Sequence, residues 1–189
     1  MMLGTNIGTD ETWKLIPKDS VGAELGVWKG ESSVKFLQRA GHLHLVDPWS
    51  AVAYEDSDEF GDYAGYLNRY SKIVGSNKPE DFQKYYDGIA ESVKMKFKND
   101  PVTIHRITTD EFFDTFEGQV DWVYVDALHS FEGCLSDLRR SLKIIRPGGF
   151  IIGDDYGNKP GVVQAVDQFI KETSLTLDNF HTNQFRIFI

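Results

Sequence analysis

The chain has 189 residues, the length of one ordinary domain, able to bury about two-thirds of its unfolded surface without disulfides or structural metal. Its 41% hydrophobic and 26% charged residues exclude disordered and fibrous classes, and no apolar run approaches the roughly 20 residues of a membrane span. A formal charge of -9 with no basic stripe disfavours a nucleic-acid partner.

The start, MMLGTNIGTDETWK, lacks a basic segment followed by an apolar one, so the expectation is a soluble, cytoplasmic protein. Cys134 is the single cysteine, which rules out an intramolecular disulfide and suits a small buried thiol on a helix.

Taken in chain order, short apolar runs alternate with helical stretches, the pattern of parallel strands joined by crossover helices. The first strand, 21–27, reads VGAELGV and continues into Trp28-Lys29-Gly30-Glu31-Ser32-Ser33. Its glycines permit a tight turn and close approach of a ligand to the backbone. A helix at about 30–40 follows, and the amides at its start can face a ligand's carboxylate.

The second strand, 42–47, ends at Asp47, 21 residues after Gly26, where a carboxylate can accept hydrogen bonds from both hydroxyls of an adenosine ribose. NAD-binding domains share that spacing, so it leaves two cofactor classes open. The dinucleotide fingerprint needs three glycines in G-x-G-x-x-G, and Val21 to Gly26 does not supply them in register. Glu24 would repel a pyrophosphate but welcome the amino group of S-adenosylmethionine (SAM). His42 and His44, between Leu43 and Leu45, read as structural.

Residues 50–78, rich in acids and tyrosines, are too long for a simple connection. They read as an insertion or lid over the strand ends, with a solvated acidic loop as the alternative. A helix at 79–97, a strand at 101–106, a helix at 109–116 and a strand at 120–126 come next. The helix at 131–145 carries Phe131, Cys134, Leu135, Leu138, Leu142 and Ile145 at helical spacing, which places Asp137, Arg139, Arg140 and Lys143 on its other faces. Ser130 is placed to cap it. Pro147-Gly148-Gly149 ends the helical path before a strand at 149–154, followed by a helix at 160–173 and apolar runs near 174–178 and 184–189.

Several strands finish at acids: Asp47, Asp126 and the pair Asp154-Asp155, with Glu24 near the end of the first. In an open parallel sheet such ends share one edge, where ligands bind. Strands four and five should lie about 4.8 Å apart, so their carboxylates would repel unless protonated or neutralised. An oxygen-preferring Mg²⁺ suits such a cluster better than zinc. The plainer alternative is that Asp154 and Asp155 bond backbone amides, since adjacent strand residues point to opposite faces. His129, three residues after Asp126, is placed as a general base or as a group orienting an acceptor, with a structural histidine at a helix start as the alternative.

The blocks GAELGVWKGESS with HLVDPW, and VDWVYVDALHSFEGCLSDLRRSLKIIRPGGFIIGDDY, resemble class I SAM-dependent methyltransferases, specifically the small-molecule O-methyltransferase-like group with its macrocin-type sugar methyltransferases. The resemblance spans about 21–156. It implies a Rossmann-like three-layer α/β/α sandwich, a single domain over 1–189, with a mostly parallel seven-stranded sheet and an antiparallel strand near the C-terminus. It implies that Glu24, Gly26, Gly30 and Ser33 line the methionine side of SAM, that Asp47 binds the ribose, and that Thr109, with Thr108 and Asp110, lies on the adenine side. Asp126 would contact SAM and, with Asp154 and Asp155, hold a divalent ion. The expected acceptor is a small-molecule hydroxyl, with neither nucleic acid nor membrane as partner and self-association left open.

Overall fold

The computed structural model describes residues 12–51, 62–179 and 183–189. The seven-stranded sheet has the order β3-β2-β1-β4-β5-β7-β6, formed by β1 (Val21–Leu25), β2 (His42–Val46), β3 (Val102–His105), β4 (Val120–Val125), β5 (Ile145–Gly153), β6 (Leu177–Asn179) and β7 (Phe185–Phe188). β1 to β5 pair in parallel, and β7 runs antiparallel between β5 and β6. The strand order reverses between β1 and β4, so the crevice beside their carboxyl ends is where an open α/β sheet receives a ligand.

Alternation along each strand divides the core in two. Trp122 and Tyr124 of β4 face one side with Phe36, Phe82 and Val93. Val123 and Val125 face the other with Phe112, Leu135 and Phe169. The first side is covered by α1 (Glu31–Phe36), α2 (Tyr63–Val74) and α3 (Pro79–Lys96), the second by α4 (Thr109–Thr115), α5 (Phe131–Ile144) and α6 (Pro160–Thr173). This is the expected three-layer sandwich. Burying each Leu, Val or Phe here contributes on the order of 1.5–3 kcal/mol, so the two cores dominate the fold energetics.

Local chemistry explains the helix limits. Thr108 accepts from the Glu111 amide while Glu111 returns a bond to the Thr108 amide, a reciprocal cap on α4. Ser130 accepts from the Gly133 amide at 3.3 Å, as its position before α5 predicts. Pro79 opens α3 with Glu80 and Asp81 in its first turn and Lys94 and Lys96 in its last, matching the helix dipole.

The structure fills in one sequence expectation and corrects two. The stretch 50–78 carries a regular helix, α2, capped by the Asp62 side chain on the Gly65 amide at 2.7 Å; its part at 52–61 lies outside the described residues. β5 starts at Ile145, which pairs with Val120, so Pro147-Gly148-Gly149 forms an irregularity within the strand rather than a turn before it. Asp137 is buried, 2% exposed, because α4 packs over the face of α5 that the hydrophobic pattern alone left to solvent. No described helix is long and apolar enough to cross a membrane.

Candidate functional site

A cavity of about 810 Å³ opens along the carboxyl ends of β1, β2, β3 and β4. Its wall runs from Gly26 and Glu31 past Asp47 to Thr109, and across to Asp126 and His129. Of the residues expected at the site, Gly26, Asp47, Thr109, Asp126 and His129 therefore line one space. Glu24 and Ser33 lie buried beneath it, 1% and 0% exposed. Gly30 and the Asp154-Asp155 pair are outside the lining.

The floor of the cavity depends on glycine where the chain turns. Gly26 has φ +87°, and a Cβ there would collide with the Asp126 carbonyl oxygen, so the chain leaving β1 can run this close to the end of its neighbour β4 only without a side chain. Gly30 precedes α1 at φ +70°, and a Cβ there would lie 2.6 Å from the Phe97 ring.

Asp47 ties two loops together. One carboxylate oxygen accepts from the amides of Val27 (3.0 Å) and Trp28 (2.9 Å), and the other accepts from the Trp49 amide (2.7 Å). Trp49 Nε1 donates to the Trp28 carbonyl at 2.8 Å, closing the link. A carboxylate offers about four acceptor positions, so about one remains toward the cavity. Burial pushes the Asp47 carboxyl up, while the three amides and Arg106 pull the other way. Arg106 donates to the Trp49 carbonyl at 3.2 Å and pairs with Asp87 of α3, pinning that helix beside the cavity.

Glu24 accepts a 2.5 Å hydrogen bond from the Ser33 hydroxyl. Burial raises its carboxyl well above the ordinary range, and the carboxylates of Asp126 and Asp47 add to the rise. The site thus holds a buried acid that a cationic group would convert to its charged form.

At the end of β4, His129 Nε2 lies 3.1 Å from Asp155 and 3.5 Å from Asp126. Ligand atoms of these three residues all fall within 4.8 Å of one another, and Asp154 is not part of that group. Asp155 adopts a left-handed φ of 66°, which turns it away from the extended path of β5. Asp154 is pushed up to about 7, first by burial and then by Asp126. Two carboxylates and an imidazole at this spacing suit a divalent cation accepting oxygen and nitrogen donors.

Four cavity residues, Trp28, Tyr70, Tyr86 and Arg106, have no assigned role in the sequence reading. For Tyr70 a signal existed, since Tyr63, Tyr66, Leu67 and Tyr70 recur at helical spacing; Tyr86 is placed by the structure, where buried Tyr66 and Tyr86 share a hydroxyl contact between α2 and α3. His42 and His44 stay away from the cavity: His44 bonds His105 at 3.0 Å and packs on Phe116, and burial lowers its imidazole to about 4.

A methyltransferase domain family matches residues 23–156, and the chain belongs to it. No curated protein sequence matches the chain. Among solved structures, it is similar to the O-methyltransferase NovP at 17% identity and TM-score 0.62, covering 95% of this chain and 74% of that one. It is also similar to the O-methyltransferase TomG from Streptomyces achromogenes in complex with SAM, at 16% identity and TM-score 0.59, covering 90% and 72%. The N-methyltransferase NodS from Bradyrhizobium japonicum WM9, in complex with S-adenosyl-L-homocysteine (SAH), aligns at 12% identity and TM-score 0.56, covering 90% and 78%. At these identities the likeness is one of fold.

Proposed function

We propose that the chain is a SAM-dependent methyltransferase acting on a hydroxyl of a small molecule. One observation carries this reading: a single cavity joins Gly26, Asp47 and Thr109 to Asp126 and His129, above buried Glu24. Glu24, under the turn at Gly26, is the partner we assign to the methionine ammonium, Asp47 the acceptor for the ribose, the turn at Thr109 the place for the base, and Asp126 with His129 the polar groups beside the reacting end. SAM complexes of TomG and SAH complexes of NodS support the cofactor, and O-methyltransferases of the same fold support an oxygen acceptor.

The sulfonium of SAM already makes its methyl electrophilic, so the protein's task is to align an acceptor oxygen for in-line displacement and take its proton. His129 suits that role, its imidazole lying beside the carboxylates of Asp155 and Asp126. A divalent cation is the second reading, favoured by the clustered donors of Asp126, His129 and Asp155. Held there, such as Mg²⁺, it would lower the pKa of an acceptor hydroxyl.

Calorimetry with SAM, SAH and NAD tests the cofactor class. SAM and SAH should bind and NAD should not; preferential NAD binding overturns the reading. For the reacting end, His129→Ala should lower turnover by about 100-fold, as loss of a general base does, and leave SAH affinity within about threefold. Full turnover in that variant removes the base assignment. Rigorous chelation followed by Mg²⁺ should suppress and then restore turnover if the cation takes part, whereas unchanged activity leaves His129 to act alone.

A further inference from the structure

We propose that Gly161 and Gly133 are positioning residues for His129: their bare Cα atoms hold the segment 128–131 between two helices and fix where the imidazole stands beside Asp155. The inference rests on the reading of His129 as the group that takes the acceptor's proton.

Each glycine stands in the first turn of a helix, Gly133 in α5 and Gly161 in α6. Neither has a left-handed φ, so the backbone would accept any L-residue, and alanine is the better helix former. The reason for glycine is space. A Cβ on Gly161 would lie 2.4 Å from the His129 carbonyl oxygen, 2.9 Å from the Phe131 amide nitrogen and 3.0 Å from the Ser130 carbonyl carbon, all of them backbone atoms. A Cβ on Gly133 would meet the same segment from the α5 side, 2.8 Å from Leu128 Cβ and 3.0 Å from Ser130 Oγ. Unbonded carbon contacts are favourable only at about 3.5–4.0 Å, so something must give way at either position.

What gives way is decided by packing. Behind the contact, α6 seats Val162, Val166 and Phe169 against Cys134, Leu135 and Leu138 of α5 in one buried core, so α6 cannot slide outward without opening that core. The segment 128–131 is only half-buried and yields first. The start of α6 also carries the neighbour of His129. The amides of Asn158 (3.3 Å) and Lys159 (3.1 Å) donate to the Asp155 carbonyl and close the turn into α6, and the Tyr156 amide donates to the Asn183 carbonyl at 2.7 Å. One tied piece of chain, 155–161, thus bears the Asp155 carboxylate at one end and the bare face against His129 at the other. A shift of 128–131 against it changes the 3.1 Å separation between His129 Nε2 and Asp155. Neither glycine lines the cavity, whereas Gly26, Asp47 and Thr109 do, so transfer should suffer and cofactor binding should not.

The test places Gly161→Ala, Gly133→Ala and Gly88→Ala in wild type and in the His129→Ala background. Methyl transfer is read from labelled SAM over a panel of catechol and hexose acceptors, and SAH affinity by calorimetry. Gly161→Ala should lower kcat about 100-fold, the cost of misplacing a reacting group by about 1 Å, and leave SAH affinity within about threefold. Gly133→Ala presses on side-chain atoms and should lower kcat about tenfold with the same affinity; it carries the test if Gly161→Ala does not fold. A Cβ on Gly88 of α3 would have nothing within 4 Å, so Gly88→Ala should keep kcat and melt no lower than wild type. In His129→Ala, adding Gly161→Ala or Gly133→Ala should change kcat by less than about twofold, because the group they position is gone. A folded Gly161→Ala or Gly133→Ala with wild-type kcat, or a loss of the same size in both backgrounds, overturns the proposal alone. Full turnover in His129→Ala overturns the base assignment, and wild type that binds SAH but methylates no acceptor overturns the methyltransferase reading; either takes this proposal with it.

Discussion

Asp47→Asn is expected to weaken SAH binding by about 100-fold or more and to lower the melting temperature by several degrees. The side chain is an anchor for backbone as well as a candidate ribose partner. It takes the amides of Val27 and Trp28 on one oxygen and that of Trp49 on the other. Hydrogen bonds to a charged acceptor contribute about 1.5–3 kcal/mol each, and a buried donor left without one costs about 1–3 kcal/mol. Asparagine keeps one acceptor oxygen and turns an NH₂ toward the remaining N–H groups, so at least one contact becomes donor against donor. Trp28 and Trp49 hold left-handed φ values of 51° and 41°, which a bulky residue adopts only when its surroundings impose it. Releasing either loop would let it relax out of the cavity wall, and the ribose would lose its acceptor in the same step. Calorimetry and a thermal melt check both effects. An Asp47→Asn protein that binds SAH within about threefold of wild type and melts at the same temperature would show that the loops are held by Trp49 Nε1 and Arg106 instead.

Much of this architecture was legible because its signals are local. The strands carry apolar runs, the helix at 131–145 carries Ser130 before its start, and the strand ends carry acids. What the pattern missed depends on contacts between distant segments. α2 was hidden because its tyrosines, although helically spaced, sit in an acidic stretch that reads as surface loop. Asp137 was assigned to solvent because an amphipathic pattern counts it as polar and cannot see α4 arriving on that face. The convergence of Asp47 and Asp126 on one crevice could be anticipated from topology. The three amides on Asp47 could not, because they depend on the path of two loops 20 residues apart. Asp154 and Asp155 diverge as adjacent residues do at a strand end, and the left-handed turn at Asp155 is what brings that side chain, rather than Asp154, to His129.

Glu24→Gln should move stability and binding in opposite directions. The Glu24 carboxyl is raised in the folded protein chiefly by burial, against a hydrogen bond from Ser33, with the charges of Asp126 and Asp47 adding to the rise. In the unfolded chain it titrates near the ordinary value of about 4.3. Between those two values the unfolded state has released its proton while the folded state keeps it. Stability is therefore fully present below the ordinary value and is lost as pH rises toward the folded one. Asp126 is raised in the same direction, and Asp137 and Asp154 are each pushed up to about 7, so without cofactor the protein should melt at a higher temperature at pH 5.5 than at pH 8. Glutamine is neutral and nearly isosteric, and its amide oxygen can still accept from Ser33. The substitution removes Glu24's share of the loss: the variant should melt higher than wild type at pH 8, by roughly 2–4 °C per kcal/mol recovered, and gain nothing at pH 4. Binding should suffer, because the methionine ammonium of SAH would meet a neutral amide in a buried site. A loss of about 100-fold in affinity is expected, the scale of a charge-assisted hydrogen bond. Melting curves at the two pH values and an SAH titration at pH 8 check the pair of effects together. A variant that melts below wild type at pH 8 would contradict the assignment of Glu24 as a strained buried acid. One that binds SAH normally would remove Glu24 from the ammonium site and leave Asp126 as the remaining carboxylate on that side of the cavity.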